Sequence, residues 1–150
     1  MLNTGIQAPE IELPDSHGNT VRLSDFRGKK VILYFYSKDN TAGCTKQAQG
    51  YAALYDEFRK KNAVVIGISK DSTASHEKFA AKYDLPFILL SDTERKAIET
   101  YDVWKEKKLY GKTSMGVVRT TYLIDENGII TEAHEKVRAA DDPSDMLALI

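Results

Sequence analysis

Cys44 is the one cysteine among 150 residues. Standing alone, it excludes an intrachain disulfide, a zinc site built on two or more cysteines, and a C-x-x-C dithiol motif. Two readings remain: a small buried hydrophobe, or a lone reactive thiol. Its position bears on the choice. Upstream lie an apolar, β-branched and aromatic run over residues 31–36 and a polar, glycine-containing loop over residues 37–43. Downstream, Ala48, Tyr51, Ala52, Tyr55 and Phe58 recur at helical spacing. A thiol at such a strand-to-helix junction faces unpaired N–H groups and the positive end of a helix, and both stabilise a thiolate. Thr41 occupies a plausible N-cap with its hydroxyl near the thiol, and Gly43 permits close approach of a small substrate to the backbone. The polar neighbours Lys38, Asp39, Asn40, Thr45 and Lys46 argue against deep burial. Position alone leaves both readings open.

Arg119 bears on the same junction. It precedes residues 120–124, a strand expected antiparallel beside residues 31–36, so that the start of one lies beside the end of the other. Its guanidinium then points toward the loop that carries Cys44. A permanent cation there lowers the thiol pKa, and its forked donors suit a pair of oxygens. The competing reading is a solvated charge at a strand end.

Other candidate motifs fail. Gly111-Lys112-Thr113 resembles the end of a phosphate-binding loop, but Glu106 stands where that loop needs glycine. Residues 125–128 hint at a calcium loop until Ile129 and Ile130 break the ligand spacing, which leaves a hairpin turn. His17, His76 and His134 have no paired spacing and read as structural or exposed, so no metal site is expected. Lys105, Lys107, Lys108 and Lys112 read as a solvated loop face. A net charge of −1 argues against a nucleic-acid partner held by bulk electrostatics. The longest apolar run, residues 31–36, falls far short of the ~20 residues of a membrane span. Residues 1–15 lack the pattern of a signal peptide, so the expected compartment is the cytoplasm. The sequence stops inside the apolar run 146–150, and the natural protein is expected to continue a few residues.

These residues need a scaffold, and the hydrophobic pattern supplies one. A short hairpin is expected around residues 12–13 and 21–23, then a central strand at 31–36 and a helix from about Cys44 to Lys60. A strand follows at 63–69, a helix marked by His76, Phe79, Ala80 and Tyr83, a strand at 87–90 and a helix at 94–101. Residues 119–125 and 129–133 flank Glu126-Asn127-Gly128 as a second hairpin. Asp142 with Pro143 reads as the N-cap and N1 of a last helix. Residues 102–118 show no clear element, and loops of that length are often functional. The order predicts one α/β domain over residues 1–150, with a mixed central sheet flanked by helices.

The segment 34–48, Tyr-Phe-Tyr-Ser-Lys-Asp-Asn-Thr-Ala-Gly-Cys-Thr-Lys-Gln-Ala, resembles the active-site loop of peroxiredoxins of the bacterioferritin-comigratory-protein (PrxQ) subfamily. Ala8-Pro9, Ser91-Asp92, Tyr110-Gly111-Lys112, residues 116–125 and residues 125–128 extend the resemblance over nearly the whole chain. It implies a thioredoxin-like fold and a thiol-dependent peroxidase acting on hydrogen peroxide and organic hydroperoxides. Under it, Cys44 is the peroxidatic cysteine, Thr41 hydrogen-bonds the peroxide, Arg119 is the distant arginine, and Gly43 and Ser37 line the substrate. No metal or organic cofactor is implied. Two departures stand out. Ser37 and Ala42 replace the usual prolines, and Ser37 is expected to leave the thiolate more exposed and the pocket less preorganised. Gln49 and Ala80 occupy the positions where many members carry a resolving cysteine. The resemblance therefore implies a one-cysteine enzyme, a monomer or weak homodimer, whose sulfenic acid is resolved by an external thiol such as thioredoxin or glutaredoxin. A peroxide sensor that does not turn over, or a redox-regulated binding protein on the same fold, is the alternative. An inert Cys44 in a structural module is the third reading.

Overall fold

The computed structural model describes residues 1–108 and 110–150. A five-stranded sheet runs in the order β5 (Ile88–Ser91), β4 (Ala63–Ser69), β3 (Lys30–Phe35), β8 (Thr120–Ile124), β9 (Ile130–Glu135). β3 pairs parallel to β4 and antiparallel to β8, so the expected mixed sheet forms, with β3 at its centre. The expected N-terminal hairpin is β1 (Glu12–Pro14) against β2 (Thr20–Arg22). No described helix is long and apolar enough to cross a membrane.

Alternation along β3 divides the interior into two cores. Val31, Leu33 and Phe35 face one side, with Ile66, Ile68, Tyr101, Tyr122 and Ile124. Ile32, Tyr34 and Tyr36 face the other, with Cys44, Tyr51, Phe58, Phe79, Leu123 and Met146. The helices of that second side are α1 (Ala42–Ala53), α2 (Tyr55–Lys60), α3 (Thr73–Tyr83) and α5 (Asp142–Leu149). The stripe read as one helix to Lys60 is interrupted at Leu54, whose amide is shared between the Gly50 and Ala52 carbonyls. The helix expected at 94–101 is the shorter α4 (Lys96–Thr100), its first amides held by the Asp92 carboxylate.

Two further expectations change. The stretch 102–118 is a hairpin: β6 (Trp104–Leu109) pairs antiparallel with β7 (Lys112–Val117). Tyr110 and Gly111 form its turn at φ 53° and 75°, the doubly positive pair that a type I′ hairpin turn requires. The cap of α5 also moves. Asp141 is the N-cap and Asp142 is already helical and buried, so the Asp142 carboxyl serves the interior rather than its own helix end.

Candidate active site

β3 delivers the chain to the site, and α1 begins it. Thr41 is the N-cap of α1, with extended φ −81° and ψ 152°, so Cys44 lies in the first turn among amides that lack intrahelical partners. Phe35 pairs with Thr120 across β3 and β8. That register sets Arg119 beside the end of β3, as its position implied. The Arg119 Nη2 donates to the Cys44 Sγ at 3.5 Å, and the Ser37 hydroxyl lies 3.6 Å from the same sulfur. A Cβ at Gly43 would stand 3.1 Å from Arg119 Nη2, so this glycine makes room for the guanidinium. The Thr41 hydroxyl donates to the Lys38 carbonyl at 2.9 Å and also lies where it favours the thiolate. Cys44, Thr41, Arg119, Ser37 and Gly43 are thus brought together.

Burial differs from expectation. Cys44 is only 1% exposed, despite its polar neighbours and despite Ser37 in place of proline. Thr41 and Lys46 point outward while the third residue of α1 turns into the core. Burial pushes the thiol pKa up, but the Thr41 hydroxyl, the Lys38 backbone, the Ser37 hydroxyl and the Arg119 charge outweigh it, and the net shift is downward.

Comparison with known proteins places this arrangement of a cysteine and an arginine across a mixed sheet. The AhpC/TSA family profile matches residues 4–133. The chain belongs to the AhpC/TSA family, among the Bcp/PrxQ peroxiredoxins. It is 45% identical to peroxiredoxin Bcp of Bacillus subtilis over 146 residues, covering 97% of this chain and 93% of that one. A PrxQ variant structure from Xylella fastidiosa superposes with a TM-score of 0.94 at 33% identity, covering 99% and 95% of the two chains. The bacterioferritin comigratory protein of Xanthomonas campestris, solved in trapped intermediate and ligand complexes bearing on alkyl peroxide reduction, gives 0.91 at 34% identity, covering 98% and 96%.

In this peroxiredoxin, a thiol-dependent peroxidase by family, two residues that sequence reasoning missed complete the surroundings of Arg119. Gln47 accepts from Arg119 Nη1 at 2.6 Å, and its own amide donates to Asp142 Oδ2 at 2.9 Å. The signal for Gln47 was present: Cys44, Gln47, Ala48 and Tyr51 follow i, i+3, i+4, i+7, so a polar side chain sits within a buried stripe.

On the opposite flank, His76 is structural, as expected, and wholly buried. Its Nδ1 meets Asp39 Oδ2 at 2.7 Å and its Nε2 meets the Leu90 carbonyl at 3.0 Å. Asp39 belongs to the loop before α1, so this contact ties the loop to α3. Asp71 brings a third ligand-type atom within 4.8 Å. The Asp39–His76 contact, however, occupies the ring nitrogen that a metal would take. His17 is exposed, and His134 lies 3.4 Å from Glu132.

Proposed function

We propose that this chain reduces hydroperoxides in a one-cysteine cycle centred on Cys44. The Cys44 thiolate attacks the terminal peroxide oxygen in line with the O–O bond. The S–O bond forms as the O–O bond breaks, giving Cys44 sulfenic acid and an alkoxide or hydroxide that takes up a proton. Arg119, the Thr41 hydroxyl, the Ser37 hydroxyl and the amides of the first turn of α1 stabilise the charge as it moves onto the leaving oxygen. The observation that carries this reading is the 3.5 Å contact between Arg119 and the sulfur at the start of a helix.

The second half of the cycle needs two external thiol equivalents. One forms a mixed disulfide with Cys44 and releases water, and the other displaces Cys44 as thiol. Thioredoxin, glutaredoxin or a small thiol fits this role, and the cytoplasm, where such reductants are kept reduced, is the compartment it suits. A protein thiol cannot reach a cysteine that is 1% exposed, so resolution requires the first turn of α1 to open. The chain acts as a monomer or a weak homodimer.

Peroxide consumption with dithiothreitol tests the proposal: wild type turns over and Cys44→Ser does not. Equal rates would sink it. The lack of any second cysteine also favours a sensor, which stopped-flow oxidation separates. A sensor forms the sulfenic acid but does not cycle with any physiological thiol system.

A further inference from the structure

We propose that Asp142, on the C-terminal helix α5, is a positioning residue that fixes Arg119 against Cys44 through the side-chain amide of Gln47. This rests on the peroxidase reading above. A guanidinium offers only donors, so Gln47 must present its oxygen to Arg119. That orientation turns the Gln47 NH2 the other way, where it needs an acceptor, and Asp142 Oδ2 stands there at 2.9 Å. A reversed amide would set NH2 against guanidinium and oxygen against carboxyl oxygen, two repulsive contacts. The acceptor on α5 therefore sets the direction of the amide, and the amide sets the arginine.

Asp142 is itself held. Its Oδ2 accepts from the Tyr51 hydroxyl of α1 at 2.6 Å and from the Thr121 hydroxyl of β8 at 2.8 Å. Thr121 lies two residues beyond Arg119, in β8, so the carboxyl ties together the helix that carries Cys44 and the strand that follows Arg119. Close packing supports the arrangement. A Cβ at Gly50 would lie 2.8 Å from Pro143 Cγ, and only glycine lets α5 approach α1 this closely. The other oxygen, Oδ1, is buried with no partner among the described residues. An unsatisfied buried acceptor weakens a fold, so stability alone does not account for a carboxyl at this place.

A double-mutant cycle on the second-order rate with hydrogen peroxide tests the proposal, with unfolding midpoints measured alongside. Asp142→Ala should lower the rate ~10-fold when Arg119 is present and less than ~2-fold in the Arg119→Ala background. Asp142→Asn, which keeps an oxygen acceptor, should recover the rate to within ~3-fold of wild type. Should Asp142→Ala fail to fold, Gln47→Met breaks the same chain with a side chain of similar shape and should cost the same ~10-fold. Equal losses with and without Arg119, or a wild-type rate in Gln47→Met, would overturn the inference. A wild-type enzyme that does not react with peroxide, or an Arg119→Ala variant as fast as wild type, would overturn the peroxidase reading instead.

Discussion

Two buried aspartates flank Cys44, and their surroundings drive them in opposite directions. Asp39 engages both oxygens: Oδ1 accepts from Tyr36, while Oδ2 takes Ser75 and the His76 ring. Burial pushes its carboxyl up, but His76 and the hydroxyls outweigh burial and hold it below the usual range. Asp142 loads three donors onto one oxygen and leaves the other bare. Burial then wins, and its pKa rises. Burial alone does not set the direction: the His76 ring and the hydroxyls around Asp39 lower its pKa, and Asp142 has no such ring beside it. Arg119 meets the neutral amide of Gln47 rather than a carboxylate, so its positive charge stays directed toward the thiolate.

The largest effect expected from breaking this contrast is at Asp39. Asp39→Ala leaves His76 buried beside an empty acceptor site and should cost about 3 kcal/mol, measured by urea unfolding. A loss below about 0.5 kcal/mol would mean that the loop is held by its backbone instead. A smaller effect separates the two carboxyls by pH. Asp39 has a lowered folded pKa, so its contribution is present above the unfolded value of ~3.9 and is lost as pH falls through the folded value. Asp142 has a raised folded pKa, so its contribution is present below ~3.9 and is lost as pH rises through the folded value. Urea midpoints from about pH 3 to about pH 7 should therefore show Asp39→Asn losing ground to wild type as pH rises. Asp142→Asn should gain ground over the same interval. Parallel profiles for the two variants would erase the distinction.

How much of this was legible depended on what constrained each segment. The β3–β8 register, and with it the approach of Arg119 to Cys44, followed from two apolar runs buried on both faces. The β6–β7 hairpin escaped because most of its side chains are exposed, so nothing imposes alternation on Lys105, Glu106, Lys107 and Lys108. Asp142 was misplaced because Asp-Asp-Pro offers two adjacent caps, and packing of Pro143 on Gly50 turns the second one inward. Gln47 escaped because an amide on an apolar stripe has no meaning until its partners are known. Those partners lie 72 and 95 residues away in sequence.

The smallest effect concerns Tyr34, which touches both clusters. Its ring stacks on Tyr51 at 4.8 Å and lies 5.5 Å from Tyr36, the donors to Asp142 and Asp39 respectively. Those two hydroxyls each hold a carboxylate oxygen. The Tyr34 hydroxyl is buried without a partner among the described residues, pressed over Gly67, where a Cβ would stand 2.9 Å from it. These three neighbouring tyrosines thus differ in whether the hydroxyl has a partner, and that difference predicts their response to its loss. Tyr34→Phe keeps the ring contacts and removes an unsatisfied group, so it should be neutral or stabilising by up to about 1 kcal/mol in thermal unfolding. Tyr51→Phe and Tyr36→Phe should each destabilise by about 1–2 kcal/mol, since each strips a donor from a buried carboxyl. The same sign for all three would mean that ring packing, not the two carboxyls, accounts for these tyrosines.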